Sequence, residues 1–305
     1  MEAVYRDKDG RSLTRDEVHS LPTEQLGERS GIRLNIINSH EELYNAIAEL
    51  MVQTILAKRG EKVTMILPVG PTGQYPLFVE KVKERNIDCR NLWTINMDEF
   101  LDRTGRTIPD SHPMSFRGMM MDLFYERLPE KLRMPREQMF FPRHDNVEAI
   151  DRAFDEHAPD GVDLCLAGVG PEGHFAFNED PNFGHVRVSR DEFLADRTRL
   201  VLVNPSTVDM DALVAGSGDR SAIPPFAVTI GPHDVLRAKK IDVIFFAGSF
   251  QRYALREVLF REPTVHFPGT LLKLVRTPDG NVVPRTALTV WTTPLEGAPV
   301  TTQTI

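Results

Sequence analysis

The chain has too few cysteines to be held together by them. Only Cys89 and Cys165 occur in 305 residues, and both lie in or beside apolar, strand-like runs. A disulfide-stapled scaffold is therefore not expected, and two thiols alone make no zinc site. No Lys/Arg-rich run appears and the formal net charge is −8, which provides no basic face for a nucleic acid. No apolar run approaches the length of a membrane span. The residues from Met1 to Gly10 are polar and lack the apolar core of a signal peptide. These absences lead to the expectation of a cytoplasmic protein with neither a nucleic-acid nor a membrane partner.

What is present is an ordinary globular composition, 41% hydrophobic and 26% charged. Residues 1–30 are polar and mixed in charge, and read as an irregular N-terminal extension with room for one short helix. Residues 31–300 read as a single domain. Its first strand is Arg33-Leu34-Asn35-Ile36-Ile37. Ser39 and Glu42 then fit a capping box, and Leu43, Ile47, Leu50, Met51 and Ile55 recur at helical spacing. Gly60 is a natural stop. Strand-like runs follow at 63–67, 92–97, 162–167, 199–203, 226–230, 241–246 and 286–291. The spacing predicts helices at 75–85, 113–128, 147–157 and 250–260. Strands alternating with helices mean an α/β fold: a mostly parallel twisted sheet with helices on both faces, Rossmann-like in layout.

In such sheets ligands bind at the carboxyl ends of the strands, so polar residues directly after strands are the candidates. Pro68-Val69-Gly70-Pro71-Thr72-Gly73-Gln74 is the first group. Its glycines would let the backbone approach an anion or a sugar oxygen. It is neither a P-loop nor a dinucleotide fingerprint, and it also reads as a plain tight turn. The second group is Asn96-Met97-Asp98-Glu99-Phe100. Two adjacent carboxylates there should raise at least one pKa, which suits a proton shuttle. Asp98 also reads as a helix cap with Glu99 solvated. The third is Gly168 to Glu179, where His174 stands between Glu172 and Glu179. Flanking carboxylates fix the tautomer of a histidine and make it more basic, and Phe175, Ala176 and Phe177 offer an apolar wall. A metal site is the competing reading, but the spacing matches no usual zinc signature.

These motifs, in this order, resemble the glucosamine-6-phosphate deaminase/isomerase family. The residues that carry the likeness are Leu67-Pro68-Val69-Gly70-Pro71-Thr72, then Asn96-Met97-Asp98-Glu99-Phe100, then Gly168-Val169-Gly170-Pro171-Glu172-Gly173-His174-Phe175-Ala176-Phe177-Asn178-Glu179. His112-Pro113 with Ser115 adds to it. The resemblance implies the sheet type shared by these deaminases and the phosphogluconolactonases. It also implies conversion of an amino sugar 6-phosphate to a ketose phosphate with loss of ammonia, without cofactor or metal. Asp98 would move the proton between C2 and C1, His174 would open the ring, and Glu172 and Glu179 would tune the histidine. Gly70, Thr72, Gly73, Ser115, Thr207 and Arg252 would contact the sugar or sugar phosphate. The assembly stays open, from a single chain to a homo-oligomer.

Three positions depart from the family pattern. Glu172 stands where the family has Asp. Val208 takes the place of a phosphate-binding Arg. Gln251 takes that of a phosphate-binding Lys, with Arg252 one position on. Either other basic residues compensate or the substrate lacks the phosphate. Other readings on the same fold are a sugar-phosphate isomerase, a sugar lactonase and a non-catalytic sugar sensor. The small, polar stretch from Gly216 to Ser221 reads as a loop able to cover the pocket.

Overall fold

A computed structural model of the chain describes residues 3–181, 188–286 and 288–301. The most continuous apolar runs form the centre. Val63–Leu67 (β4) and Ile241–Ile244 (β11) are buried at every position. They belong to a seven-stranded sheet with Arg33–Ile36 (β3), Leu92–Asn96 (β5), Met139–Phe140 (β7), Leu164–Gly168 (β8) and Leu288–Thr292 (β14), in the order β3-β14-β11-β8-β4-β5-β7. Every pairing in it is parallel, as expected of strands covered by helices on both faces. Two large apolar clusters fill the spaces on either side. One is built on Phe154, Phe193 and Phe260, the other on Tyr75, Phe78 and Phe124.

Two of the strands anticipated for this sheet lie elsewhere. Arg199–Leu202 (β9) and Phe226–Thr229 (β10) join Asp98–Leu101 (β6) in a separate antiparallel sheet of order β6-β10-β9. The alternating burial of β9, with Leu200 and Leu202 about half exposed, is the mark of a sheet with one wet face. Asp98 therefore begins a strand and caps no helix. The third apolar cluster, with Phe100, Phe177 and Ala227, underlies this small sheet.

The segment before the first parallel strand is not irregular. Tyr5–Arg6 (β1) and Ser12–Leu13 (β2) form a hairpin, followed by helices Arg15–Ser20 and Thr23–Ser30. Thr14 and Glu17 make a capping box at the first of these helices. Val18 and Leu26 are fully buried in the main core. Arg256 is buried too, and donates to the carbonyls of Val18 at 3.2 Å, Leu21 at 2.8 Å and Gly297 at 3.0 Å. Tyr5 Oη donates to Glu257 at 2.8 Å. Leu274–Arg276 (β12) and Val282–Pro284 (β13) form a second hairpin.

The helix expected at 113–128 is shorter, Phe116–Leu123, and continues as a single 3-10 turn. Ser115 caps it, which leaves Pro113 outside. Cys89 and Cys165 are free and buried, and burial pushes both thiols up to about 12. Among the described residues no helix is long and apolar enough to cross a membrane.

Candidate active site

The carboxyl ends of β4, β8 and β11 and the start of β6 open on one cleft of about 320 Å³. Asp98 lies at the β5–β6 junction, 7% exposed. Burial raises its pKa to about 8, and neighbouring Glu99 adds to the rise while His174 opposes it. The carboxyl is thus a stronger base than an ordinary aspartate, and sits against carbon-rich walls formed by Met97, Phe116 and Phe177.

Glu99 points the other way and is structural. It accepts from the backbone N–H groups of Phe100 at 2.8 Å, Phe116 at 3.0 Å and Arg117 at 2.8 Å, and from Ser115 Oγ at 3.0 Å. Two of those N–H groups open the helix Phe116–Leu123, where a carboxylate satisfies otherwise unpaired donors. Burial still holds the pKa of Glu99 above the ordinary value.

His174 is delivered by a compact turn. The Gly170 N–H donates to the His174 carbonyl at 2.9 Å, and the Gly173 N–H to the Gly170 carbonyl at 3.0 Å. Gly173 has a φ of 93°, the left-handed region that favours glycine. A Cβ on Gly170 would run into the imidazole of His174, so that glycine creates the slot for the ring. Asn178 pins the far end of the turn by donating to the carbonyls of Phe175 at 3.1 Å and Ile230 at 3.0 Å.

The Nδ1 of His174 is hydrogen-bonded to Glu172 Oε1, which makes Nε2 the ring nitrogen open to a substrate. Burial alone would lower the histidine, but Glu172, Glu179 and Asp211 outweigh it and raise the pKa to about 9. The same contact holds Glu172 down at about 2 against its own burial. Thr207 Oγ1 bridges the acids, 2.8 Å from Glu172 and 2.5 Å from Glu179. Glu179 also accepts from the Asn204 N–H at 2.7 Å, and burial raises its pKa. Ligand atoms of Glu172, His174 and Glu179 lie within 4.8 Å of one another. Among the described residues they are the group able to converge on a metal ion, though here they bind one another and Thr207.

The remaining candidates separate. Gly70, in a cis peptide with Pro71, lines the cleft, as does Thr207. Thr72, Gly73, Ser115 and Arg252 lie off the lining. Gly73 is pressed against the Tyr44 ring. The hydroxyl of Ser115 is committed to Glu99 and to the Gly118 N–H. Arg252 Nε donates to the Leu295 carbonyl at 2.9 Å. Gln251, read as the replacement of a phosphate-binding cation, holds the strand end together. Its Oε1 accepts from the N–H groups of Phe246 and Ala247, and its Nε2 donates to the Val169 carbonyl at 2.8 Å. Residues 215–222 form a hydrogen-bonded turn and a short 3-10 segment, and none of them lines the cleft.

One ionisable cleft residue, Asp211, escaped the sequence reading. The helix Pro205–Val214 presents Thr207, Met210, Asp211 and Val214 to the cleft, at the spacing of a single helical face. Asp211 brings a further carboxyl, pushed up to about 6 by burial, with His174 opposing the rise and Glu172 adding to it.

No protein-family model matches the chain. Among curated proteins it is similar to the glucosamine-6-phosphate deaminase of Clostridium perfringens (strain SM101 / Type A), 28% identical over 251 residues, covering 80% of this chain and 94% of the relative. The glucosamine-6-phosphate deaminase of Thermoanaerobacter sp. (strain X514) is 26% identical over 247 residues, covering 80% and 89%. Among solved structures, a monomeric glucosamine-6-phosphate deaminase matches with a TM-score of 0.68 and 23% identity, covering 86% of this chain and 97% of that one. A 6-phosphogluconolactonase from Thermotoga maritima matches at 0.57 and 16%, covering 86% and 99%.

The seven-stranded parallel sheet and these matches define the class, the α/β fold shared by sugar-phosphate deaminases and lactonases. Within it, the curated proteins to which the chain is similar, at 26% and 28% identity over 80% of its length, are named as glucosamine-6-phosphate deaminases.

Proposed function

We propose that the protein is an isomerase–deaminase that converts an amino sugar and water into a ketose and ammonia. The observation that carries this is the pairing, in one cleft, of a buried carboxyl at Asp98 with the imidazole of His174 backed by Glu172. The relatives named as glucosamine-6-phosphate deaminases support it.

Each step has a group matched to it. The protonated His174, through Nε2, gives its proton to the ring oxygen and takes up the one the anomeric hydroxyl loses, and the sugar opens to an aldehyde. Ionised Asp98 removes the proton on C2 while His174 protonates the aldehyde oxygen, which gives a C1 hydroxyl and a C2 amine across one carbon–carbon double bond. Asp98 then returns the proton to C1 and the amine gives one back to His174, leaving an imine at C2. Water adds to that imine and ammonia leaves. A basic carboxylate in a dry site suits carbon deprotonation, because the transfer needs a pKa near the working pH. A lactone hydrolase has no such carbon proton to move, so the buried Asp98 favours the deaminase reading over the lactonase one. The same reading makes this a cytoplasmic enzyme of small-molecule metabolism, without a nucleic-acid or membrane partner.

The test is release of ammonia with formation of a ketose from glucosamine 6-phosphate and from unphosphorylated amino sugars. Deuterium at C2 should slow turnover, and Asp98→Asn should abolish it. The reading fails if the wild-type protein turns over none of these sugars, or if His174→Ala keeps full activity.

A further inference from the structure

The charge lining the cleft is of one kind apart from the histidine. Among the described lining residues the charged side chains are Asp98, Asp211 and His174, with no Lys or Arg. His174 is already engaged by Glu172, so it offers little net attraction to a second anion. The rest of the wall is largely apolar: Val69, Phe116, Met210, Val214, Phe246 and Phe250. Val214 and Phe250 are 69% and 38% exposed, so they frame the mouth.

The cations nearby in sequence are turned elsewhere. Arg252 serves the Leu295 carbonyl and Arg199 serves Asn178 Oδ1 at 3.0 Å, while Arg220 pairs with Asp209. Val208, on the helix that carries Asp211, packs against the cluster of Phe100 and Phe177. A phosphate dianion entering this cleft would lose hydration to an apolar wall and would meet Asp98 and Asp211 with no Lys or Arg among the described lining residues to offset the cost. An uncharged sugar hydroxyl has no such difficulty, and Asp211 can accept a hydrogen bond from it.

We propose that the substrate is an amino sugar whose end remote from the amine is uncharged, and that Asp211 is the specificity residue that disfavours a phosphate there. The inference rests on the isomerase–deaminase reading and narrows it.

The experiment compares kcat/KM for ammonia release from glucosamine and from glucosamine 6-phosphate with the full-length protein. The free sugar should be favoured by roughly ten-fold or more, the scale of an unfavourable charge placed beside a carboxylate. Asp211→Asn should then narrow that ratio by raising kcat/KM for the phosphorylated sugar. If glucosamine 6-phosphate is used as well as or better than glucosamine, the inference is overturned and the deaminase reading stands. If Asp211→Asn leaves the ratio unchanged, the role of Asp211 is overturned. If neither sugar releases ammonia, the deaminase reading itself falls.

Discussion

Replacing Glu172 by Gln tests the acid–base pair most directly. The structure places Asp98 at about 8 and His174 at about 9. The active form needs Asp98 ionised and His174 protonated. Its kcat/KM should therefore follow a narrow bell, rising through about 8 and falling through about 9. Two such titrations leave roughly half of the molecules correctly protonated at the optimum. Glutamine keeps the shape of Glu172 but removes the charge that holds the imidazolium. Burial then opposes the imidazolium with only Glu179 and Asp211 left to support it, so the histidine falls from about 9 towards its ordinary 6.5. On reaching that value the two titrations would cross, and the correctly protonated fraction at the new optimum would be only about 2%. Activity should fall by up to ~20-fold from protonation alone, and the optimum should move towards neutrality by up to about one pH unit. The assay is the pH profile of ammonia release under kcat/KM conditions, with the histidine titrated independently by NMR. A variant whose bell keeps its position and height would refute the assignment of Glu172 as the group that makes His174 basic.

Other outcomes follow from the same structure. Asp98→Asn should abolish turnover yet stabilise the fold at alkaline pH. The folded-state pKa of Asp98 is raised from 3.8 to about 8, so the wild type loses stability as pH climbs between those values, and thermal unfolding at pH 9 should show a higher Tm for the variant. Gly170→Ala should leave the protein folded but lower kcat roughly 100-fold, because the new methyl displaces the imidazole. A crystal structure with the ring unmoved would count against this. Arg256→Leu should cost about 3 kcal/mol or more in urea unfolding, since three buried carbonyls lose their donor. A change within 0.5 kcal/mol, roughly that of an ordinary surface substitution, would contradict the clamp.

The parallel sheet was legible because β4, β5, β8 and β11 are short apolar runs, each followed by turn residues. The antiparallel sheet was not. Its strand β6 is Asp98-Glu99-Phe100-Leu101, and two leading carboxylates hide a strand whose polar groups are all satisfied or functional. The hairpin and helices before residue 31 were missed because only a few large side chains, such as Tyr5, Val18 and Leu26, anchor them. In the site, Asp98 and His174 could be read because turn glycines and strand ends mark them. Direction could not. Ser115 and Arg252 have the right chemistry and near neighbours in the site, but Ser115 Oγ binds Glu99 and Arg252 Nε binds the Leu295 carbonyl instead. Asp211 carried a usable signal, the face formed by residues 207, 210, 211 and 214, which periodicity alone assigns equally well to a core.

The clamp formed by Arg256 has a consequence for how the chain is made. Its partners Val18 and Leu21 precede it by 238 and 235 residues, and the edge strand β3 pairs only with β14 near the other terminus. On the ribosome the helices at 15–30 and β3 emerge long before either partner exists. They must then wait, without these partners, while more than 230 further residues are made. Contacts this distant in sequence slow folding, so the docking of these elements onto Arg256 and β14 is a late step for a nascent chain.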